Sequence, residues 1–269
     1  MNITASDVWS AVRAIREKAP VVHNITNYVV MNSTANALLA IGASPVMAHA
    51  EEEMEEMVGI ASALVINIGT LSPAWVRSMF RAAEAARARK IPIVLDPVGA
   101  GATSYRTRTA RELMRVVPPD IIRGNASEVM ALLETSGRTK GVDSTASSDA
   151  AVELGRKLHA ECSAAVCISG ETDYVIGNTG IIKIRNGHFM MTRVTGLGCT
   201  ATALCGAFAA VTSDPAVAAA EAMAVMGIAG EIGAARSEGP GSLQLHFLDA
   251  LYRLSAEDIE RLLKIEMGE

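Results

Sequence analysis

The chain has 269 residues, half of them hydrophobic, with 22 Gly, 9 Pro and few aromatics (4 Phe, 4 Tyr, 2 Trp). That composition can close a sizeable core and excludes disordered, collagen-like and coiled-coil classes. Lys and Arg number 24 against 29 Asp and Glu, a net charge of −5, which argues against a general nucleic-acid binder but leaves room for a local basic site.

From the start, MNITASDVWS lacks the basic and then apolar run of a secretory signal. Cys162, Cys167, Cys199 and Cys205 lack both Cys-x-x-Cys spacing and disulfide-scaffold density, so they read as reduced thiols in a cytoplasm. Strand-length apolar runs at 21–23, 45–47, 64–68, 91–95, 121–123 and 164–168 then alternate with helix-like segments at 35–41, 74–89, 110–117, 127–133 and 150–159. Such alternation predicts an α/β fold, a mainly parallel sheet with helices on both faces. Residues 174–176 and 181–184 flank a Gly177-Asn178-Thr179-Gly180 turn, and 188–191 follow Asn186-Gly187, so all three read as edge hairpins. Everything from Cys199 onward reads as helical. Residues 199–235 invite the idea of a membrane span, but Asp214, Pro215, Glu221 and Glu231 interrupt them short of the roughly 20 apolar residues required. No repeat or linker divides the chain, so a single domain spanning 1–269 is expected.

In an open parallel sheet, ligands bind beyond the carboxyl ends of the strands. The residues found there are Asn24, Ala48 and His49, Gly69 and Thr70, Asp96, Asn125, and Ser169 with Gly170. Each alone reads as a strand terminator or helix cap. Their recurrence points instead to one polar site. Asp96 precedes Pro97 and the flexible Gly99-Ala100-Gly101-Ala102, while Glu128 follows Asn125 by one helical turn, either as a capping-box partner or as a second carboxylate. Together, Asp96 and Glu128 suit Mg²⁺, which takes one or two carboxylates plus waters and phosphate oxygens. Arg123, at an apolar strand end, suits a phosphate.

The stretch Thr195-Gly196-Leu197-Gly198-Cys199 leads straight into a small-residue helix. Helix-start N–H groups favour anions, and two glycines let a phosphoryl group approach the backbone, so Gly196 and Gly198 form a candidate anion hole. Cys199 is either a small buried residue or a thiol whose pKa the helix field lowers. Gly99-x-Gly101 lacks the third glycine of a dinucleotide fingerprint, and no Walker A loop is present.

Six segments carry a further resemblance: HNITNYVVMNSTANALLAIGASPVM from His23, VLDPVGAGAT from Val94, RGNASEV from Arg123, KGVDS from Lys140, SGETDYV from Ser169 and VTGLGCTATA from Val194. Over essentially its whole length the chain resembles the hydroxyethylthiazole kinases, vitamin kinases of ribokinase-like fold. The resemblance implies ATP-dependent phosphorylation, with Mg²⁺, of the primary alcohol of 4-methyl-5-(2-hydroxyethyl)thiazole, a step feeding thiamine biosynthesis. It further implies thiazole contacts at Asn24, Met47 and Gly196, ATP contacts at Arg123 and Ser169, the metal and phosphate end at Asp96 and Glu128, and Cys199 beside the substrate hydroxyl. Related kinases of the fold carry Asp where this chain has Cys199. A homotrimer with thiazole sites between subunits is also implied, and neither nucleic acid nor membrane is expected as a partner. Leu197, bulkier than the Ala expected between the glycines, and Ser169 in place of Thr are small departures that leave donors in place.

Three rivals stand beside this reading: another small-alcohol or vitamin kinase, a nucleotide-dependent dehydratase or repair lyase of the same fold, and a noncatalytic ligand sensor. Cys at 199 weighs against the first two, and Asp96, Glu128, Arg123 and the glycine turn weigh against the third.

Overall fold

The computed structural model describes residues 3–133 and 148–268. The KGVDS segment beginning at Lys140 lies outside the described residues. Strands β1 (Val21–Ile25), β2 (Ser44–Val46), β3 (Ala63–Asn67), β4 (Ile93–Asp96), β5 (Ile121–Asn125), β6 (Ala165–Ser169), β7 (Asp173–Gly177), β8 (Gly180–Ile184) and β9 (Ile265–Gly268) form one sheet in the order β2-β1-β3-β4-β5-β6-β7-β8-β9. Pairings from β2 through β6 are parallel and those from β6 to β9 antiparallel.

The helices are α1 (Ala5–Lys18), α2 (Met31–Ile41), α3 (Met54–Ile60), α4 (Pro73–Arg89), α5 (Ser104–Val116), α6 (Ala126–Leu132), α7 (Ser148–Cys162), α8 (Leu197–Ala209), α9 (Pro215–Ala234), α10 (Pro240–Arg253) and α11 (Ala256–Leu262). Because side chains alternate across a strand, Val22, Val65 and Val94 join one core with α1, α2 and α8 to α11. Ile25, Leu64, Ile66, Ile93 and Leu95 join the other with α3 to α7. Starts are written locally: Thr4 with Asp7 and Asn125 with Glu128 close capping boxes, and Ser72 caps α4 ahead of Pro73.

Three expectations need correction. The 188–191 segment is not a strand: Phe189–Arg193 form a 3₁₀ turn, opened by His188, whose side chain accepts from Met190 N–H. The chain after Cys199 is not wholly helical, since β9 adds an edge strand beside β8. Finally, α9 does meet the length and apolarity of a membrane span, yet 83% of its apolar window is buried within the fold. Its Ala and Gly surface lets α8 and α10 close around it.

Candidate active site

Strand order reverses at β1, which pairs with β2 on one side and β3 on the other. The following helices α2 and α3 therefore depart to opposite faces, and a crevice opens beyond the carboxyl ends of the strands. Two cavities occupy this end. One, of about 450 Å³, is walled by Asn27, Gly69, Asp96, Glu128, Gly196 and Cys199 among others. Its larger neighbour, about 760 Å³, is walled by the 170–173 turn, the 185–192 segment and Met223, Met226 and Gly227. Arg123, Ser169 and Gly198 line both.

Strand register sets the polar floor of the smaller cavity. Asn67 lies level with Asp96, and Asn125 with Ser169. Asp96 is 1% exposed, and its Oδ2 accepts from Asn67 Nδ2 at 2.8 Å and from Thr202 Oγ1 at 2.8 Å. Burial pushes its carboxyl up to about 7; Arg123 and the two hydrogen bonds pull down, while Glu128 adds to the rise. Arg123 is itself buried, which opposes its charge, but Asp96 foremost, with Asp173 contributing, holds the guanidinium above its ordinary pKa. Its Nε is buried with no partner among the described residues, so this cation is not saturated by the protein alone.

Glu128 acts in both of the ways its sequence position allows. Oε2 accepts from Asn125 N at 2.9 Å, closing the capping box, and Oε1 accepts from Gly99 N at 2.9 Å across the loop after β4. Arg106 fastens the same loop: Nη1 donates to Ile68 and Val98 carbonyls, and Nη2 to Gly69 O at 2.7 Å. Among the described residues no cluster of three or more His, Cys, Asp or Glu forms a metal cage. Two carboxylates on one cavity wall, one of them poorly stabilised as an anion, do fit a cation that brings phosphate oxygens and waters as its other ligands.

Gly196 stands at φ 85° ahead of α8, and a Cβ there would lie 2.7 Å from Val30 Cγ1, so glycine is required on both counts. No side chain caps α8, and the first N–H closed within the helix is that of Thr200, to Gly196 O. The N–H groups of residues 197 to 199 therefore face outward. At Gly198 a Cβ would sit 3.0 Å from Arg123 Nη1, so the missing side chain is what lets the guanidinium approach the helix start.

Cys199 corrects an expectation. Of its two readings, the thiol acidified by the helix start does not hold: burial, with Asp96 next in effect, pushes it up to about 11 against the opposing Asn67 and Asn27 amides. The group is an uncharged thiol at neutral pH.

Two expected substrate contacts lie apart from the rest. Asn24 is 1% exposed and donates to Val22 O of its own strand at 2.9 Å, with no partner for Oδ1 among the described residues. It is absent from the walls of both cavities, and Asn27, three residues on, stands in the smaller one. Met47, just past β2, is half-buried against the α2 and α8 core and lines neither cavity of this chain. Sequence reasoning missed Asn27, Asn67 and Thr202. Asn67 had a visible signal, a polar residue inside the apolar run 64–68.

Residues 12–257 match the family model described as Hydroxyethylthiazole kinase family. The chain belongs to the hydroxyethylthiazole kinase family. A hydroxyethylthiazole kinase of Syntrophus aciditrophicus (strain SB) is 68% identical over 271 residues, covering 100% of each chain. Another, from Leptospira biflexa serovar Patoc, is 58% identical over 247 residues and 92% of each. Among solved structures, the hydroxyethylthiazole kinase protein of Pyrococcus horikoshii OT3 matches with a TM-score of 0.91 at 44% identity, over 98% of this chain and 100% of that one. Pyridoxal kinase from Staphylococcus aureus in complex with pyridoxal gives 0.65 at 16% identity, over 93% and 98% of the two chains, a likeness of fold. The chain thus carries the ribokinase-like fold, and its own Gly196-Leu197-Gly198-Cys199 turn is the segment that opens α8.

Proposed function

We propose that this chain moves the γ-phosphoryl group of ATP onto the primary hydroxyl of 4-methyl-5-(2-hydroxyethyl)thiazole, at the junction of its two cavities, in a salvage step of thiamine biosynthesis. One observation carries the reading: Arg123, Ser169 and Gly198 belong to both cavities. A nucleotide in the larger cavity would point its terminal phosphate at the place where an alcohol in the smaller one ends. The whole chain then serves as a single kinase domain, since one sheet runs through it.

In the transfer, the hydroxyl oxygen bonds to the γ-phosphorus as the bond to the β–γ bridging oxygen breaks. The transition state is loose, with charge on the three equatorial oxygens. Outward N–H groups at residues 197 to 199 and the Arg123 guanidinium meet that charge, which is the larger part of catalysis. Asp96 and Glu128 would hold Mg²⁺, whose contribution is to neutralise phosphate charge. Cys199, an uncharged thiol, orients the alcohol rather than taking its proton, which passes late in the reaction to an oxygen of the transferred phosphoryl group. Gly196 keeps the wall clear for the thiazole ring. Met47, off the walls of this chain's cavities, would serve a thiazole site completed by another copy in a homotrimer, in the cytoplasm, whereas Asn24, buried within β1, would not touch the ring.

Incubating the protein with ATP, Mg²⁺ and hydroxyethylthiazole tests the reading: mass analysis should find one added phosphoryl group on the thiazole. Phosphorylation of pyridoxal in its place, or of nothing, would refute it. Turnover of Cys199→Ala should fall far less than about 10⁴-fold, the upper range for general base catalysis.

A further inference from the structure

Four buried polar side chains form a chain behind the smaller cavity: Thr202, Asp96, Asn67 and Asn27, exposed by 0%, 1%, 1% and 4%. Asn67 donates to Asp96 Oδ2 at 2.8 Å, Asn27 Nδ2 donates to Asn67 Oδ1 at 2.9 Å, and the same Nδ2 donates to Cys199 Sγ at 3.4 Å. An amide can be flipped, so the direction of such a chain needs proof. Here two backbone N–H groups, which only donate, supply it. Gly69 N reaches Asn67 Oδ1 at 2.9 Å and Val29 N reaches Asn27 Oδ1 at 3.1 Å. Both oxygens are thereby identified, and each Nδ2 must point as described. Asn27 gives one hydrogen to Asn67 and the other to sulfur.

We infer that Asn27 is a positioning residue for Cys199: it holds Sγ as an acceptor on its protein side, so that the thiol's one hydrogen is left for the alcohol in the cavity. This rests on the kinase reading and adds to it a residue, and a direction, for the Cys199 contact. Asn27 is itself held tightly. A Cβ at Gly69 would lie 2.6 Å from its Nδ2 and 2.8 Å from its Cβ and Cγ, so the glycine after β3 leaves space for this amide and for little else. The chain also gives Cys199 a link to Asp96 that needs no direct contact.

A double-mutant cycle tests the inference, because residues that act through one another are not additive. Asn27→Ala should lower kcat about tenfold, the scale of one hydrogen bond, with KM for ATP within about twofold. On a Cys199→Ala background the same change should move kcat by less than about twofold. An equal tenfold loss on both backgrounds would mean a merely structural role and overturn the inference. Gly69→Ala, which displaces the amide without removing it, should reproduce the Asn27→Ala pattern. Should Asn27→Ala fail to fold, Asn27→Ser takes its place, since Asn67 Oδ1 keeps the Gly69 N–H in either case. A crystal structure of the variant decides independently of activity: the Cys199 side chain should leave its rotamer or split between two, and an unmoved sulfur would sink the idea. Wild-type protein inactive on the thiazole would count against the kinase reading alone, while the crystallographic arm would still judge this one.

Discussion

The two cavities share three wall residues but are held open by different means. The smaller is built on buried side chains whose hydrogen bonds fix one another, from Thr202 through Asp96 and Asn67 to Asn27. Most of the larger is walled by a turn, a 3₁₀ segment and methionines, with Phe189 76% exposed at its rim. Where a reacting atom must be placed, the protein uses directional bonds in a low-dielectric setting. The larger cavity offers shape and area instead, and soft side chains supply these.

That contrast can be broken most severely at Asp96. Asp96→Asn removes the carboxylate opposite Arg123, and kcat/KM should fall about 10²- to 10³-fold, the scale of leaving a buried cation unpaired; steady-state kinetics reads it. Arg123→Lys strikes the shared wall. Because a point charge cannot reproduce the planar fork, kcat should drop about 10²-fold with a rise in KM for ATP.

In the larger cavity the buried carboxylate is Asp173, pushed up to about 6 by burial, against the Gly170 N–H and Arg123. Its folded pKa lies above the ordinary 3.8, so the folded state holds the proton more tightly. The stability this lends is present at low pH and lost as pH rises through about 6. Relative to Asp173→Asn, the wild type should lose about 1–3 kcal/mol between pH 4 and 7, at about 1.4 kcal/mol per unit, as urea unfolding would show; a flat difference refutes it. Gly198→Ala should cost about tenfold in kcat/KM, as its Cβ moves the guanidinium by a few tenths of an ångström. Phe189→Ala should be mildest. KM for ATP should rise about 3- to 10-fold with kcat unchanged, the effect of taking one aromatic ring away from uniform binding.

The same contrast explains what the sequence made legible. Asp96, Glu128, Ser169 and the Gly196 to Cys199 turn lie where strands stop or a helix starts, and local spacing announces such places; Arg123, midway along β5, stands out as a charge in an apolar run. Asn27, Asn67 and Thr202 act through partners far along the chain: Asn67 meets Asp96 only through the register of β3 with β4, and Thr202 only because α8 lies over both. The Cys199 thiol shows how a correct local rule loses, since the helix start was visible but the burial and the Asp96 charge around it were not. At the sheet edge, β9 went unread because four residues after a helix carry too little pattern, and 188–191 misled because a short apolar run after an Asn-Gly turn coils there around the His188 cap.

Arg106 commits its guanidinium to three carbonyls from the loops after β3 and β4, and makes no ion pair among the described residues. Those loops are stitched into one lip, so a change that removes the Arg106 guanidinium should loosen both together.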